Sequence, residues 1–574
     1  MSGVRHESAV HRETSEANRQ ELPAELADLH LRLHLGLREP HFIDRMIRAW
    51  RAMLDGTELE LEFNMAVQNF VRMFPVFCVG VGCAGTDIVR NVHTAIFKVI
   101  SQVAGRQAIP RFVISAELCP YKRHFLISQH NPSFLVRDNA ELAETHARNQ
   151  ARNGETDLVP CCQAFRIGIV CKSRTPLSSS KAQNANCCQE KSAETGASWG
   201  QAESIITVQR PDSVGIECVI GLREETGELI HVHASDSQAI VASLVRLGYW
   251  THDFTQNATE GGSLPDRTRA WWLGLLQRRK FRSAAHQQKF NDRARTFFTQ
   301  MYMGFCRCVD ITDPEQRASV VEEVLLLDPA ERVSMAEKFG VPLLLGTGIR
   351  IPLVGPSSNL KWKTDHHLIF PEHHLPWPVS KDELSAHISI DGLTDREAEL
   401  TYMIHLVFQV NGPIEFCDVN PDGERLLRPC FDWVTDGAGV SHKQIKKSPW
   451  FLRPRTLTGG TKLVTRYMWD GVYVCRCLEP TEMMLLMGWG VSEWNAAAPR
   501  DWASGLGENV HVQAELLSNM AGNAWSLYAA GPIELALLCT QGKFFCDESA
   551  EVSDVSDGES DGAPHGAQTE SEWL

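Results

Sequence analysis

Four side chains in this sequence have types and spacings that could do chemistry. Cys171 follows an apolar run, Phe165 to Val170, and opens into a loop of Ser, Thr, Lys and Arg. Such a run reads as a buried parallel strand, and the carboxyl end of a strand is where open α/β sheets place their chemistry. Lys172, Arg174 and Lys181 would favour the thiolate, the reactive form of cysteine. Glu217 stands alone inside the apolar run Val214 to Leu222, where an unpaired charge is costly. An acid in that position either pairs with a cation or keeps its proton and does proton work. Arg267 and Arg269 lie two apart, just before another apolar run, so they share one face of a strand. Each feature alone also fits a plainer role: a half-buried thiol, a paired acid, two surface arginines.

These residues need elements to position them. Phe74 to Val89 reads as a strand entering a glycine-rich turn, with a helix over Ile88 to Val103. Gly80, Gly82 and Gly85 allow close backbone approach there, and a helix amino end favours an anionic or carboxylate-bearing ligand. Arg111 to Glu117 reads as a second strand ending in an acid, placed to accept two ribose hydroxyls. A short third strand, Leu135 to Asp138, ends in a candidate acceptor for an adenine amino group, and the strand before Cys171 comes fourth. Strands and helices in this order predict a doubly wound parallel α/β sheet. Residues 182–200 read as polar loop, and Gln238 to Leu247 as a helix stopped by Gly248.

Beyond Gly274 the texture changes. Gln277 to Arg282 is basic, helical segments follow near 287–304, 314–338 and 394–409, and Pro-, Trp- and His-rich loops lie between. His366, His367, His373 and His374 read as loop histidines. Lys443, Lys446, Lys447, Arg453 and Arg455, interleaved with Trp450 and Phe451, suit phosphate contact. Leu478 to Trp489 reads as a capped apolar helix stopping at Gly488. Gly522-Asn523 reads as the opening of another, able to return an amide to a cofactor. The expected organisation is a leader over 1–22, a core over 23–275 with a helical cap at Glu25 to Leu54, an inserted recognition domain over 276–450, the rest of the core over 451–545, and an acidic tail over 546–574.

At 574 residues, with 43% hydrophobic and 22% charged residues, the chain has the composition of a globular protein. No apolar run reaches the length a spanning helix needs, and the first residues lack a signal-peptide core, so neither a membrane nor a secreted location is expected. The 17 cysteines are odd in number and scattered through apolar segments, which suits reduced thiols. Cys161-Cys162 and Cys187-Cys188 lack CxxC spacing, so no metal is expected. The net charge of −15 is uneven: Asp547 to Leu574 holds nine Asp and Glu and no Lys or Arg. That acidic tail is a candidate contact for another protein, and its Ser-Asp steps at Ser553, Ser556 and Ser560 are candidate phosphorylation sites.

Taken in order, these blocks resemble the cytosine-C5 DNA methyltransferase family. The resemblance rests on the glycine turn (Gly80, Gly82), Glu117, Asp138, Cys171, Glu217, the Arg267-x-Arg269 pair, a variable region, the Leu478…Gly488 helix and Gly522-Asn-Ala524, over roughly residues 70–275 and 450–540. The family's Pro-Cys is Val170-Cys171 here, its Glu-Asn-Val is Glu217-Cys218-Val219, and the first position of its Gln-x-Arg-x-Arg is Pro265. The resemblance implies a Rossmann-like S-adenosylmethionine-dependent sheet with an inserted target-recognition domain. It implies cofactor contacts at Phe77, Gly80, Gly82, Glu117, Leu118, Asp138, Asn523 and Ala524. Cys171 would add to C6 of a flipped cytosine, Glu217 would act at N3, Arg267 would hold the base carbonyl and Arg269 would orient it. DNA is the implied partner, and a nuclear location follows from that substrate alone. A tRNA substrate on the same scaffold, or a catalytically silent binding protein, are the competing readings.

Overall fold

The computed structural model describes residues 55–169 (Thr86 excepted), 187–219, 236–306 and 510–546. Most of 310–489 is also described, apart from 340–342, 346–380, 420–430, 436–440 and a few shorter stretches. Cys171 and its basic neighbours, the leader, the helical cap, the four loop histidines and the acidic tail lie outside the described residues.

Seven strands form the central sheet: β1 (Val76–Gly82), β2 (Ile109–Ala116), β3 (Leu135–Val136), β4 (Ala164–Gly168), β5 (Ser213–Val219), β6 (Tyr249–Asn257) and β7 (Thr268–Leu276). Their order is β3-β2-β1-β4-β5-β7-β6. Pairing is parallel from β3 to β5, and β7 runs antiparallel between β5 and β6. This is the expected Rossmann-like α/β sheet with one correction: its last two strands form an antiparallel pair, so it is not wholly parallel. β6 escaped the sequence reading because Thr251, His252, Asp253 and Gln256 break its apolar pattern, as befits a sheet edge.

Helices cover both faces, which is why the parallel strands read as unbroken apolar runs. On one face lie α1 (Glu58–Met73), α2 (Ile88–Ala104), α6 (Ala284–Cys306) and α9 (Leu527–Thr540), packed on Phe77, Val79, Val81, Ala164, Trp271 and Leu273. On the other lie α4 (Ala193–Gln209) and α5 (Asp236–Arg246), against Phe165, Ile167, Val214, Ile216 and Trp272. Residues 182–200 are therefore not all loop, since a short helix, Cys187–Glu190, precedes α4. The Thr57 side chain caps α1, accepting from the Glu60 N–H, and Gly105 ends α2 in the left-handed region (φ +59°).

Every residue of α9 is buried, the signature of a helix apolar all round. Pro532 inside it deprives the Tyr528 carbonyl of its helical donor, and a Cβ on Gly261 would lie 1.9 Å from that oxygen. Only glycine fits there.

A second, smaller sheet joins β8 (Ile414–Asp418), β9 (Leu463–Trp469) and β10 (Val472–Cys477), all antiparallel. Asp470 and Gly471, both at positive φ, form the tight turn between β9 and β10. This sheet packs on the helices Lys381–His387 and Asp395–Val407. It combines residues from both sides of the expected boundary at 450, and α6, expected in the insert, packs on the main core. Helix α7 (Pro480–Leu486) follows β10. Its Glu482 takes both Nη atoms of Arg476 at 2.7 Å, together with the Leu326 and Glu479 N–H groups. Burial pushes the neighbouring Glu479 carboxyl up to about 7, against the Leu344 and Leu345 N–H groups that donate to it.

Candidate active site

The carboxyl ends of the parallel strands bring Gly82, Glu117, Asp138, Glu217 and Arg269 to one edge. Along β1, Gly80 and Gly82 are strand residues packed against Cys162 and against Ile167 and Asn139. The turn itself is Cys83–Asp87, where Cys83, Gly85 and Asp87 all have positive φ. Strain of this kind persists where the surroundings enforce it. Here the Ala84 N–H donates to the Ala116 carbonyl (2.8 Å), and Asn139 accepts from the Cys83 N–H while donating to its sulfur (3.1 Å). Phe77 corrects the sequence reading. It lies at the far end of β1, fully buried among Phe70, Phe74 and Phe97, and is a core side chain rather than a cofactor contact.

Glu117, just past β2, ties this turn to its own loop, which leads into α3 (Pro120–His130). Its Oε2 accepts from the Gly85 N–H (2.8 Å) and its Oε1 from the Cys119 N–H (2.9 Å). Each oxygen keeps acceptor capacity, and the side chain is half-buried. Leu118 beside it is 66% exposed. Asp138 follows β3 and caps the next turn, accepting from the Ala140 N–H and the Gln201 amide at 3.0 Å each. Asp87, at the amino end of α2, is fully buried. Its Oδ2 meets Ser115 (3.4 Å) and Arg90 (3.5 Å), while Oδ1 has no hydrogen-bond partner.

The second half of the site lies on β4, β5 and β7. Glu217 is opposite Gly168 on one side and Trp271 on the other. Arg269, two residues from Trp271, shares its face, and its Nε lies 2.8 Å from Glu217 Oε1. The two are at ion-pair distance but out of line for a hydrogen bond. Both atoms are buried and unsatisfied by one. A Cβ on Gly168 would lie 3.4 Å from Trp525 Nε1 and 3.5 Å from Glu217 Oε2, so the glycine leaves room between a carboxylate and an indole. Trp525 meets Trp271 edge-on, with ring centroids 4.9 Å apart. The Ile169 N–H donates to the Glu217 carbonyl (2.9 Å), so the chain leaves β4 toward Cys171 alongside Glu217.

Arg267 has a different task from the one expected. Its Nη1 donates to the Leu457 and Gly522 carbonyls (2.7 and 2.9 Å) and its Nη2 to the Ala524 carbonyl (2.8 Å). It clamps the end of α8 (Val510–Asn523) and so positions Trp525, while Arg269 is the guanidinium that faces Glu217. Gly522-Asn523 closes α8 rather than opening a helix. Asn523 is exposed and bonds Asn519, whereas Ala524 is buried.

Beneath the site lies a buried group that the sequence reading missed. Arg166 of β4 donates to both oxygens of Glu534 (2.5 and 2.7 Å), and His93 Nε2 lies 3.4 Å from the same carboxylate. Burial alone would raise the Glu534 carboxyl, but the Arg166 charge and His93 outweigh it and hold it down to about 2. The signal was available: one charge within the apolar strand Phe165–Ile167 and one within the apolar helix α9 are natural partners. Trp525 and Asp87 were also missed, the first lying next to a quoted motif and the second inside one.

One further expectation changed. Trp450 is buried, donates to the Ile404 carbonyl (3.0 Å) and carries the Arg466 guanidinium over its ring, so it packs a core instead of meeting nucleic acid. Among the described residues, Cys187, Cys188 and Asp236 are close enough to share a cation. Cys187 Sγ and the Cys188 N–H both donate to Asp236, and these bonds account for the cluster.

No family model matches this chain, and no curated protein matches it. Among solved structures it is similar to the S. pombe Dnmt2 methyltransferase (12% identity, TM-score 0.34, covering 81% of this chain and 98% of that one). It is also similar to a DNA modification methyltransferase encoded within an E. coli prophage (12%, TM-score 0.35, 80% and 98%). A third is the methyltransferase EhMeth of Entamoeba histolytica (9%, TM-score 0.33, 80% and 97%).

Proposed function

We propose that the chain is an S-adenosylmethionine-dependent methyltransferase acting at C5 of cytosine in DNA. The observation that carries this reading is the Glu217–Arg269 pair. A carboxylate and a guanidinium stand side by side at the sheet's carboxyl edge, each with a buried polar atom lacking a hydrogen bond. Those two atoms face each other as an ion pair, and the pair as a whole sets an acceptor beside donors, which suits the N3, O2 and amino edge of cytosine.

The first half of the site fits one nucleoside. Glu117 and Asp138 offer acceptors at the ends of adjacent strands, with the apolar Leu118 exposed beside Glu117. A second mononucleotide half, needed for a dinucleotide, is replaced by the antiparallel β7–β6 pair. Glu117, Leu118 and Asp138 would hold the adenosine end of S-adenosylmethionine, which supplies an electrophilic methyl group.

The chain's own residues do the rest. The Cys171 thiolate adds to C6 of cytosine, making C5 nucleophilic. Glu217 hydrogen-bonds or protonates N3, and Arg269 holds the base carbonyl while its charge orients Glu217. With C5 methylated and S-adenosylhomocysteine left as the leaving group, a base removes the C5 proton and the electron pair of that bond expels the Cys171 thiolate from C6. Cytosine within a duplex is out of reach, so the base must be flipped, and the indole of Trp525 closes the pocket floor. The test is transfer of labelled methyl from S-adenosylmethionine to duplex DNA and to tRNA. We expect incorporation into DNA, lowered by roughly 10²–10⁴-fold in Glu217→Gln. Incorporation into tRNA alone would move the substrate to RNA, and none into either would refute the reading.

A further inference from the structure

The exit of the chain from its fold stands beside an unusual concentration of positive charge. From Arg278 to Arg295 the sequence carries seven Lys and Arg and one acid, Asp292, in a protein whose net charge is −15. Lys280, Arg282 and Arg293 are exposed there, and Arg278 is paired with Asp212. The amino end of α6 adds its own partial positive charge. An open groove of about 660 Å³ crosses this face, with Lys289, Arg293, Thr296 and Lys543 among its walls. Glu62 and Asp292 also line it, each already paired, with Lys543 (2.7 Å) and Arg295 (3.2 Å).

The last described turn, Gln541–Phe545, is pinned to the same helix. Phe544 and Phe545 both meet Phe290 of α6 edge-on, and Lys543 Nζ lies 4.3 Å above the Phe297 ring. In the sequence, the nine acids of residues 547–574 follow directly on this turn, with no linker between.

We propose that the acidic segment 547–574 docks in cis on this basic face of α6. Two observations select it over other polyanions. Its charge complements the face, and its attachment at the groove gives it an effective concentration on the order of millimolar, which a free partner must overcome. Reach is ample: eight extended residues span at most about 28 Å, while Ala284 to Arg295 along the helix covers about 17 Å. The face is remote from the methyl-transfer site. Ser213 pairs with Leu275 and Glu217 with Trp271, so β7 runs away from Glu217 and delivers Gln277 at the opposite end of the sheet. The tail thus masks a second, non-catalytic polyanion surface, and phosphate on Ser553, Ser556 or Ser560 would tighten it.

The test uses the full chain and is independent of methyl transfer. Zero-length carbodiimide coupling joins carboxylates to lysine amines, and the tail has no lysine of its own. Peptide mass spectrometry should find Asp554, Asp557, Glu559 or Asp561 joined to Lys280 and Lys289 within one chain. These links should fall at least about fivefold near 0.5 M salt, where screening is strong. They should fall similarly in an Arg282→Glu, Arg293→Glu double variant that keeps both lysines. Links spread equally to Lys122, in the helix Pro120–His130 at the opposite, carboxyl edge of the sheet, or unchanged in the variant, would overturn the proposal. Links confined to covalent dimers would place the tail on a second copy and overturn docking in cis.

Discussion

Two arginines spaced to look equivalent do different work, and the difference is measurable residue by residue. Arg267 satisfies three carbonyls from distant segments, so Arg267→Ala should destabilise the protein by roughly 3 kcal/mol, leaving buried acceptors unpaired. Arg269 pairs with one buried carboxylate, and Arg269→Lys, which keeps a counter-charge beside Glu217, should sharply lower methyl transfer with a smaller loss of stability. Thermal unfolding beside a labelled-methyl assay separates the two. Equal melting shifts would refute the division of labour. The spacing in the sequence could place both side chains on one face but could not say what each would meet. Arg267 finds Gly522 and Ala524 some 255 residues on. By contrast, Glu217 as an acid in an apolar strand was legible, because burial leaves such a group few choices. Phe77 was not legible, because an aromatic at the start of a strand is as good a core residue as a ligand contact.

At the scale of elements, β4, β5 and α9 form a stack held by the Arg166–Glu534 pair. β5 makes room for it with Gly215, where a Cβ would lie 2.7 Å from Arg166 Cδ. Gly215→Ala should therefore cost about 1–3 kcal/mol by overpacking, read as a shift in the denaturant midpoint. An unchanged midpoint would mean that Arg166 moves aside freely. The pair also sets a response to acid. Because the Glu534 carboxyl is held down to about 2, its contribution is fully present above the ordinary value of 4.5 and is lost as pH falls through about 2. Glu534→Gln should lose about 3–5 kcal/mol at neutral pH, since Arg166 is left buried without its counter-charge. It should also flatten the acid limb of stability against pH. An acid limb as steep as in the parent protein would assign that limb to other carboxylates. Strands and helices with clean periodicity were legible in the sequence here. β6 was not, because an edge strand needs no apolar run, and α8 was read from its wrong end because Gly-Asn suits either end of a helix.

Across the whole molecule, one sheet edge gathers residues from four separated stretches: the turn after β1, the end of β2, the β5–β7 pair and the chain after α8. Order along the sequence was enough to expect the sheet and most of the side chains at its carboxyl edge. The sequence could not supply the clamp, the indole pair or the basic face at the far end, since these depend on which distant segments meet. Because β7 carries the chain to the end of the sheet opposite Glu217 before Arg282 and Arg293, substitutions at these two residues should leave turnover on a short duplex unchanged. The central claim, covalent catalysis at cytosine, is tested most directly by trapping. The protein is incubated with S-adenosylmethionine and duplex DNA carrying 5-fluorocytosine, whose C5 fluorine cannot leave as a proton. A denaturing gel should then show a stable protein–DNA adduct that disappears in Cys171→Ala. Absence of any adduct, with S-adenosylmethionine binding intact, would contradict the account.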